Sequence, residues 1–113
     1  MFNKLCLILL IIILSGFVER KSIEESIKKD LPYLKSLYLD LHKNPEISLM
    51  EKETSEKLAN ELKKIGFEVT KNFGGYGVVG IFKNGNGPTI LYRTDMDALP
   101  MKEKTGLSYA SHI

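Results

Sequence analysis

The sequence has little of what would mark out a specialised class. Its single cysteine in 113 residues, Cys6, lies in an apolar N-terminal run, so the rest of the chain can form neither an internal disulfide nor a thiolate metal site. No block of one charge occurs: sixteen basic residues are interspersed with fourteen acidic ones for a formal +2, and no nucleic-acid footprint is visible. Internal repeats and low-complexity tracts are absent. Length excludes a large core, because removing the apolar leader leaves roughly 90 residues, one small domain at most.

What is present begins with that leader. Lys4 supplies a positive start, Leu5 to Leu14 is unbroken apolar sequence, and Ser15 and Gly16 follow as small residues, a pattern similar to a secretory signal peptide. The run ends near Val18, before Glu19, Arg20 and Lys21, and is shorter than the roughly 20 residues that span a bilayer. Residues 1–20 are therefore expected to be a signal peptide sending the chain to the periplasm or outside the cell. Phe17 and Val18 blur the cleavage junction, so an uncleaved membrane anchor stays open as the alternative. Membrane contact is expected only through this leader, and residues 21–113 form the body.

Within the body, Ser22 and Glu25 have capping-box spacing. Ile23, Ile27, Leu31, Leu34, Leu37 and Leu41 recur every three or four residues, drawing one helical stripe and predicting a largely helical Ile23 to His42. Pro32 interrupts the pattern; with Asp30 as N-cap it would fall in a first turn, so two helices are possible there. Asn44 and Pro45 close the segment. Ser48 and Glu51 repeat the capping-box spacing for a second helix whose buried face is Leu58, Ala59, Leu62 and Ile65, with Gly66 as its C-terminal stop. The period then becomes extended, predicting strands at Phe67 to Thr70, Val78 to Phe82 and Thr89 to Thr94. Lys83-Asn84-Gly85-Asn86-Gly87-Pro88 reads as the turn of a hairpin joining the last two. From Leu99 onward no period remains and a loop is expected. The fold class is α/β: two helices, then three strands.

Gly75, Gly77 and Gly80 match G-x-G-x-x-G. That fingerprint needs a helix directly after the glycines, where Val78, Val79, Ile81 and Phe82 continue as strand, so turn glycines are the better reading. Asp95 and Asp97 are sharper. They follow the apolar Ile90-Leu91-Tyr92, and strand alternation would place both carboxylates on one side, able to hold a divalent cation or orient a histidine. A solvated turn in which each Asp bonds its own backbone explains the spacing equally well. His42 near a helix end could be a ligand, but meeting the terminal carbonyls of its helix is the better reading, and His112 beside Ser111 lacks an acidic partner placed by sequence to orient it. Lys57, Lys63 and Lys64 are read as the wet face of the second helix.

Two stretches, Asp40-Leu41-His42-Lys43-Asn44-Pro45-Glu46-Ile47-Ser48 and Arg93-Thr94-Asp95-Met96-Asp97-Ala98-Leu99-Pro100, resemble paired signatures of one family, the zinc-peptidase-related amidohydrolases. Its members include hippurate hydrolase, N-acyl-amino-acid amidohydrolases and hydrolases of indole-acetyl amino-acid conjugates. Glu51, Glu53-Thr54, Leu58-Ala59, Gly66, Gly74-Gly75, Gly77-Val78-Val79 and the tail Glu103 to Ser111 follow in the family's order, so the resemblance runs from about Tyr38 to Ser111. It implies the start of a mixed-sheet metallopeptidase-like catalytic domain. Asp97 matches the aspartate that stands beside the metal site in related peptidases, and Asp95 lines the same strand end.

The complete enzyme, as the resemblance implies, would use paired zinc or manganese ions to cleave a small N-acyl amino acid or peptide. The His-x-Cys-Gly-His-Asp segment expected to hold the metal is not among these residues, so the chain alone is expected to bind no catalytic metal and to be inactive, as a truncated amidohydrolase. The alternative is a non-catalytic secreted or membrane-anchored interaction module. Substrate identity and oligomeric state are not encoded in these residues.

Overall fold

The computed structural model describes the backbone of residues 4–111 and the side chains of residues 22–111. The elements run α1 (Lys4–Lys43), α2 (Lys52–Lys64), β1 (Glu68–Phe73) and β2 (Gly77–Ile81). The chain divides into two units, Met1–Leu39 and Asp40–Ile113.

The first unit is helical throughout its described backbone. Pro32 lies inside α1, so the two-helix reading with Asp30 as N-cap is corrected, as is the helix start at Ser22 and Glu25. A proline inside a helix costs one backbone hydrogen bond without ending it when the turns on either side persist. Along the periodic stripe Ile23, Ile27, Leu31 and Leu34 are each more than half exposed, whereas Leu37 is half-buried. Among the described residues no helix is long and apolar enough to cross a membrane. The leader's side chains, and with them the signal-peptide reading, lie outside the described residues.

In the second unit α1 ends where Asn44 stops it. The Asn44 side chain donates to the Asp40 carbonyl at 2.9 Å and to Asp40 Oδ1 at 3.1 Å, joining the Asn44 backbone amide on that helix-end carbonyl at 3.2 Å, and Pro45 cannot continue the helix. α2 buries Ala59 completely, together with Thr54 and Ser55. Leu58 and Leu62 are half-buried, whereas Ile65, expected on the same face, is exposed at the C-cap. Beyond it Gly66 takes φ +92°. Its amide reaches the Lys63 carbonyl at 3.0 Å and the Phe67 amide reaches that of Leu62 at 3.1 Å, the paired bonds of a Schellman stop.

That stop turns the chain into an antiparallel hairpin in which Glu68 faces Ile81 and Thr70 faces Val79. The connection is Gly74-Gly75-Tyr76, with both glycines at positive φ, and the register shifts between Lys71 and Phe73. Leu62, Phe67 and Gly80 meet closely, a Cβ on Gly80 falling 3.0 Å from the Phe67 ring and 3.1 Å from Leu62. Phe82 adds its ring at 5.2 Å from that of Phe67. This small cluster joins α2 to the hairpin.

Two strand expectations hold within a few residues and the third does not. Thr89 to Thr94 forms no strand, and Lys83 to Pro88 makes no hairpin turn; the sheet has two strands. Apolar, β-branched residues favour extension, but a ladder also needs a neighbour to take its amides and carbonyls, and here Ile90, Leu91 and Tyr92 are 74, 88 and 91 % exposed.

Candidate functional site

After the extended run, the chain returns to the end of α1. The Ala98 amide donates to the Glu46 carbonyl at 2.7 Å, and Ile47 and Ala98 form an isolated parallel bridge. This contact walls a cleft of about 830 Å³ within the second unit, whose lining includes Leu41, His42, Glu46, Asp95, Asp97 and Glu103. Both aspartates singled out by spacing therefore line one cleft. Asp95 accepts from Arg93 Nη2 at 2.6 Å, and Asp97 is exposed.

Two glutamates that carried no assigned role in the sequence reading hold the cleft's walls. Glu46 binds the start of α2: its Oε1 accepts the Glu53 amide at 3.1 Å and its Oε2 the Thr54 amide at 2.6 Å. These are free donors of a first helical turn, and a carboxylate there is favoured by both hydrogen bonding and the helix dipole. Partial burial pushes the Glu46 carboxyl up, but the Thr54 and Glu53 amides outweigh it and leave it below the usual range. The capping box expected from Ser48 is thus corrected: α2 starts after Glu51, which makes no side-chain cap. Glu46 does that work from outside the helix.

Glu103 gathers the opposite wall. Thr105 Oγ1 donates to it, the Ser111 amide reaches Oε2 at 2.7 Å, and His42 Nε2 lies 2.9 Å from the same oxygen. The Thr105 hydroxyl and then the Ser111 amide hold its carboxyl down to about 2. The Tyr109 ring stands edge-on to His42, centroids 5.6 Å apart. His42 therefore has a carboxylate partner, where the sequence favoured helix carbonyls. Lys57 likewise is more than wet surface, since it pairs with Asp40, while Lys64 pairs with Glu61 at 2.7 Å. His112 lies outside the described residues. The signal for Glu46 was available: an acidic residue after a helix stop and just before a new helix suits its free amides. For Glu103 the contact with Thr105 is local, two residues along the chain, but His42, 61 residues away, is brought to it only by the fold.

Gly75, Gly77 and Gly80 belong to the hairpin, with strand β2 after the turn, and the dinucleotide reading stays rejected. Among the described residues no group of three or more His, Cys, Asp or Glu side chains is placed to hold a metal ion. Asp95 and Asp97 alone do not make a complete donor set.

No family model matches the chain. Curated proteins do. Hippurate hydrolase of Campylobacter jejuni is 46% identical over 72 residues, covering 63% of this chain and 19% of that protein. Thermostable carboxypeptidase 2 of Saccharolobus solfataricus is 35% identical over 95 residues, 79% of this chain and 24% of its own length. An IAA-amino acid hydrolase of Arabidopsis thaliana is 37% identical over 73 residues, covering 65% of this chain and 17% of the plant protein. The matched stretch is a segment of the amidohydrolase family to which hippurate hydrolase and the IAA-amino acid hydrolases belong. The chain spans about a sixth to a quarter of the length of the relatives it matches.

Proposed function

We propose that this chain supplies one wall of the active site of a metal-dependent amidohydrolase that cleaves N-acyl amino acids or small peptides, and that it is inactive by itself. The observation that carries the reading is the convergence of Asp95 and Asp97 on one cleft, walled by Glu46 and Glu103, within the stretch shared with hydrolases. The relatives bear hydrolase and carboxypeptidase names, which favours an enzyme segment over an interaction module.

Zinc or manganese, where bound in the whole enzyme, would polarise the amide carbonyl and activate water. The residues here would contribute otherwise: Asp97 would orient a neighbouring ligand, and Asp95, tied to Arg93, would fix the end of the extended run. Such supporting carboxylates typically govern metal affinity or activity by about 10–100-fold.

The test has two arms. The purified chain is assayed against hippurate and acetylated amino acids with added zinc or manganese, and no turnover is expected; metal-dependent cleavage would overturn the inactivity. In an enzyme extended to the relatives' full length, Asp97→Asn is expected to lower activity by about 10–100-fold, and an unchanged rate would remove Asp97 from the site. Export or anchoring through the leader belongs to the same proposal, and intact Met1 on secreted protein would contradict a cleaved signal.

A further inference from the structure

The connection between β2 and the extended run contains two Asn-Gly pairs, Asn84-Gly85 and Asn86-Gly87, in which every residue from Lys83 to Pro88 is exposed. We propose that Asn84 and Asn86 are sites of spontaneous deamidation, a covalent modification that changes both the charge and the length of the main chain leading to Asp95. The chemistry is local to these two pairs and independent of the hydrolase reading.

The reaction needs the backbone nitrogen of the next residue to reach the Asn Cγ. The new N–Cγ bond closes a five-membered succinimide, the Cγ–Nδ2 bond breaks, and ammonia leaves. Water then opens the ring at either carbonyl, giving aspartate or isoaspartate, so each event consumes one water, releases one ammonia and needs no oxidant. Three features favour it here. Glycine has no Cβ to hinder its own nitrogen, and no heavy atom outside the adjacent residues stands within 4 Å of where a Cβ would be at Gly85 or Gly87. Neither glycine amide donates in the turn and loop hydrogen bonds, and both lie beyond the β1–β2 ladder, which ends at the Glu68–Ile81 pair. Gly85 also sits at φ +99° in a run of bends without a hydrogen-bonded turn, so the backbone can rotate to close the ring.

The other described asparagines lack one requirement each. Asn44 precedes Pro45, which has no N–H, and its side chain is held by Asp40. Asn60 lies inside α2, where the following amide belongs to the helical ladder. Asn72 is in β1 and is followed by bulky Phe73. Each event replaces a neutral amide by a carboxylate, so two would take the formal charge from +2 to neutral. An isoaspartyl link adds one methylene to the backbone ahead of Thr89 to Thr94.

The chain is aged in neutral and in mildly alkaline buffer and mapped by mass spectrometry after trypsin, which releases Asn84 to Arg93 as one peptide. That peptide is expected to gain about one dalton per event, to split into isoaspartyl and aspartyl forms, and to convert faster at the higher pH, at a rate close to that of the same sequence as a free peptide. Peptides containing Asn60 and Asn72 stay unchanged over the interval. Gly87→Ala, at a site with open space and no positive φ, is expected to slow conversion of Asn86 severalfold while leaving Asn84 unaffected. Conversion in the chain far slower than in the free peptide, or earlier at Asn60 or Asn72, overturns the proposal.

Discussion

Gly77 shows how closely a single position can be specified. A Cβ there would stand 2.2 Å from the Phe73 carbonyl oxygen, which is backbone and cannot swing aside. Gly77→Ala is expected to destabilise the hairpin by about 1–3 kcal/mol, the ordinary cost of forced overpacking, read as a lower urea midpoint. Glu103 gives a prediction in pH. Its folded carboxyl is held near 2 against an ordinary 4.5, and a depressed carboxylate stabilises the folded form above its unfolded value and loses that contribution as pH falls through its folded one. Protection of the Ser111 amide from hydrogen exchange is therefore expected to be full at neutral pH and to fade from about 4.5 toward about 2. Glu103→Gln should flatten this profile.

Among the elements, α2 depends on a residue outside itself. Glu46→Ala removes the acceptor for the Glu53 and Thr54 amides and is expected to cost about 1 kcal/mol, in the range of a lost N-cap. Because the same residue's carbonyl holds Ala98, the Ala98 amide should exchange faster in the variant while the β1–β2 amides do not change. Equal Ala98 protection would show that cap and bridge are independent. The elements also show what could be read from residues alone. The end of α1 at Asn44-Pro45, the stop at Gly66 and the two paired strands follow from short-range rules: a side chain that caps, a glycine that accepts positive φ, alternation on a sheet. Thr89 to Thr94 obeys the same strand rule, yet a strand needs a partner, and alternation says nothing about where one is. Pro32 misled in the opposite direction, since its local cost did not break the helix. Asp95 and Asp97, read from spacing, both line the cleft, whereas the pairing of His42 with Glu103, 61 residues apart, left no local trace.

Across the whole molecule, the apolar surface is the feature most open to experiment. Ile23, Ile27, Leu31 and Leu34 on α1, and Ile90, Leu91 and Tyr92 on the extended run, are all more than half exposed. Exposed apolar residues on a helix, and an apolar run without a strand partner, each favour self-association. Light scattering is expected to rise with concentration, and Leu91→Lys with Tyr92→Lys should reduce it without shifting the melting of the hairpin. The order of assembly follows from the span of the contacts. The hairpin closes over the short Gly74-Gly75-Tyr76 turn, an event of about 1–10 μs in isolated hairpins, but His42 and Glu103 are 61 residues apart. Closing so long a loop carries an entropic cost that must be met before any cleft contact returns energy. The cleft is thus a late arrival on the folding pathway, formed after α2 and the hairpin have already found each other, and the first part of the unit to open again.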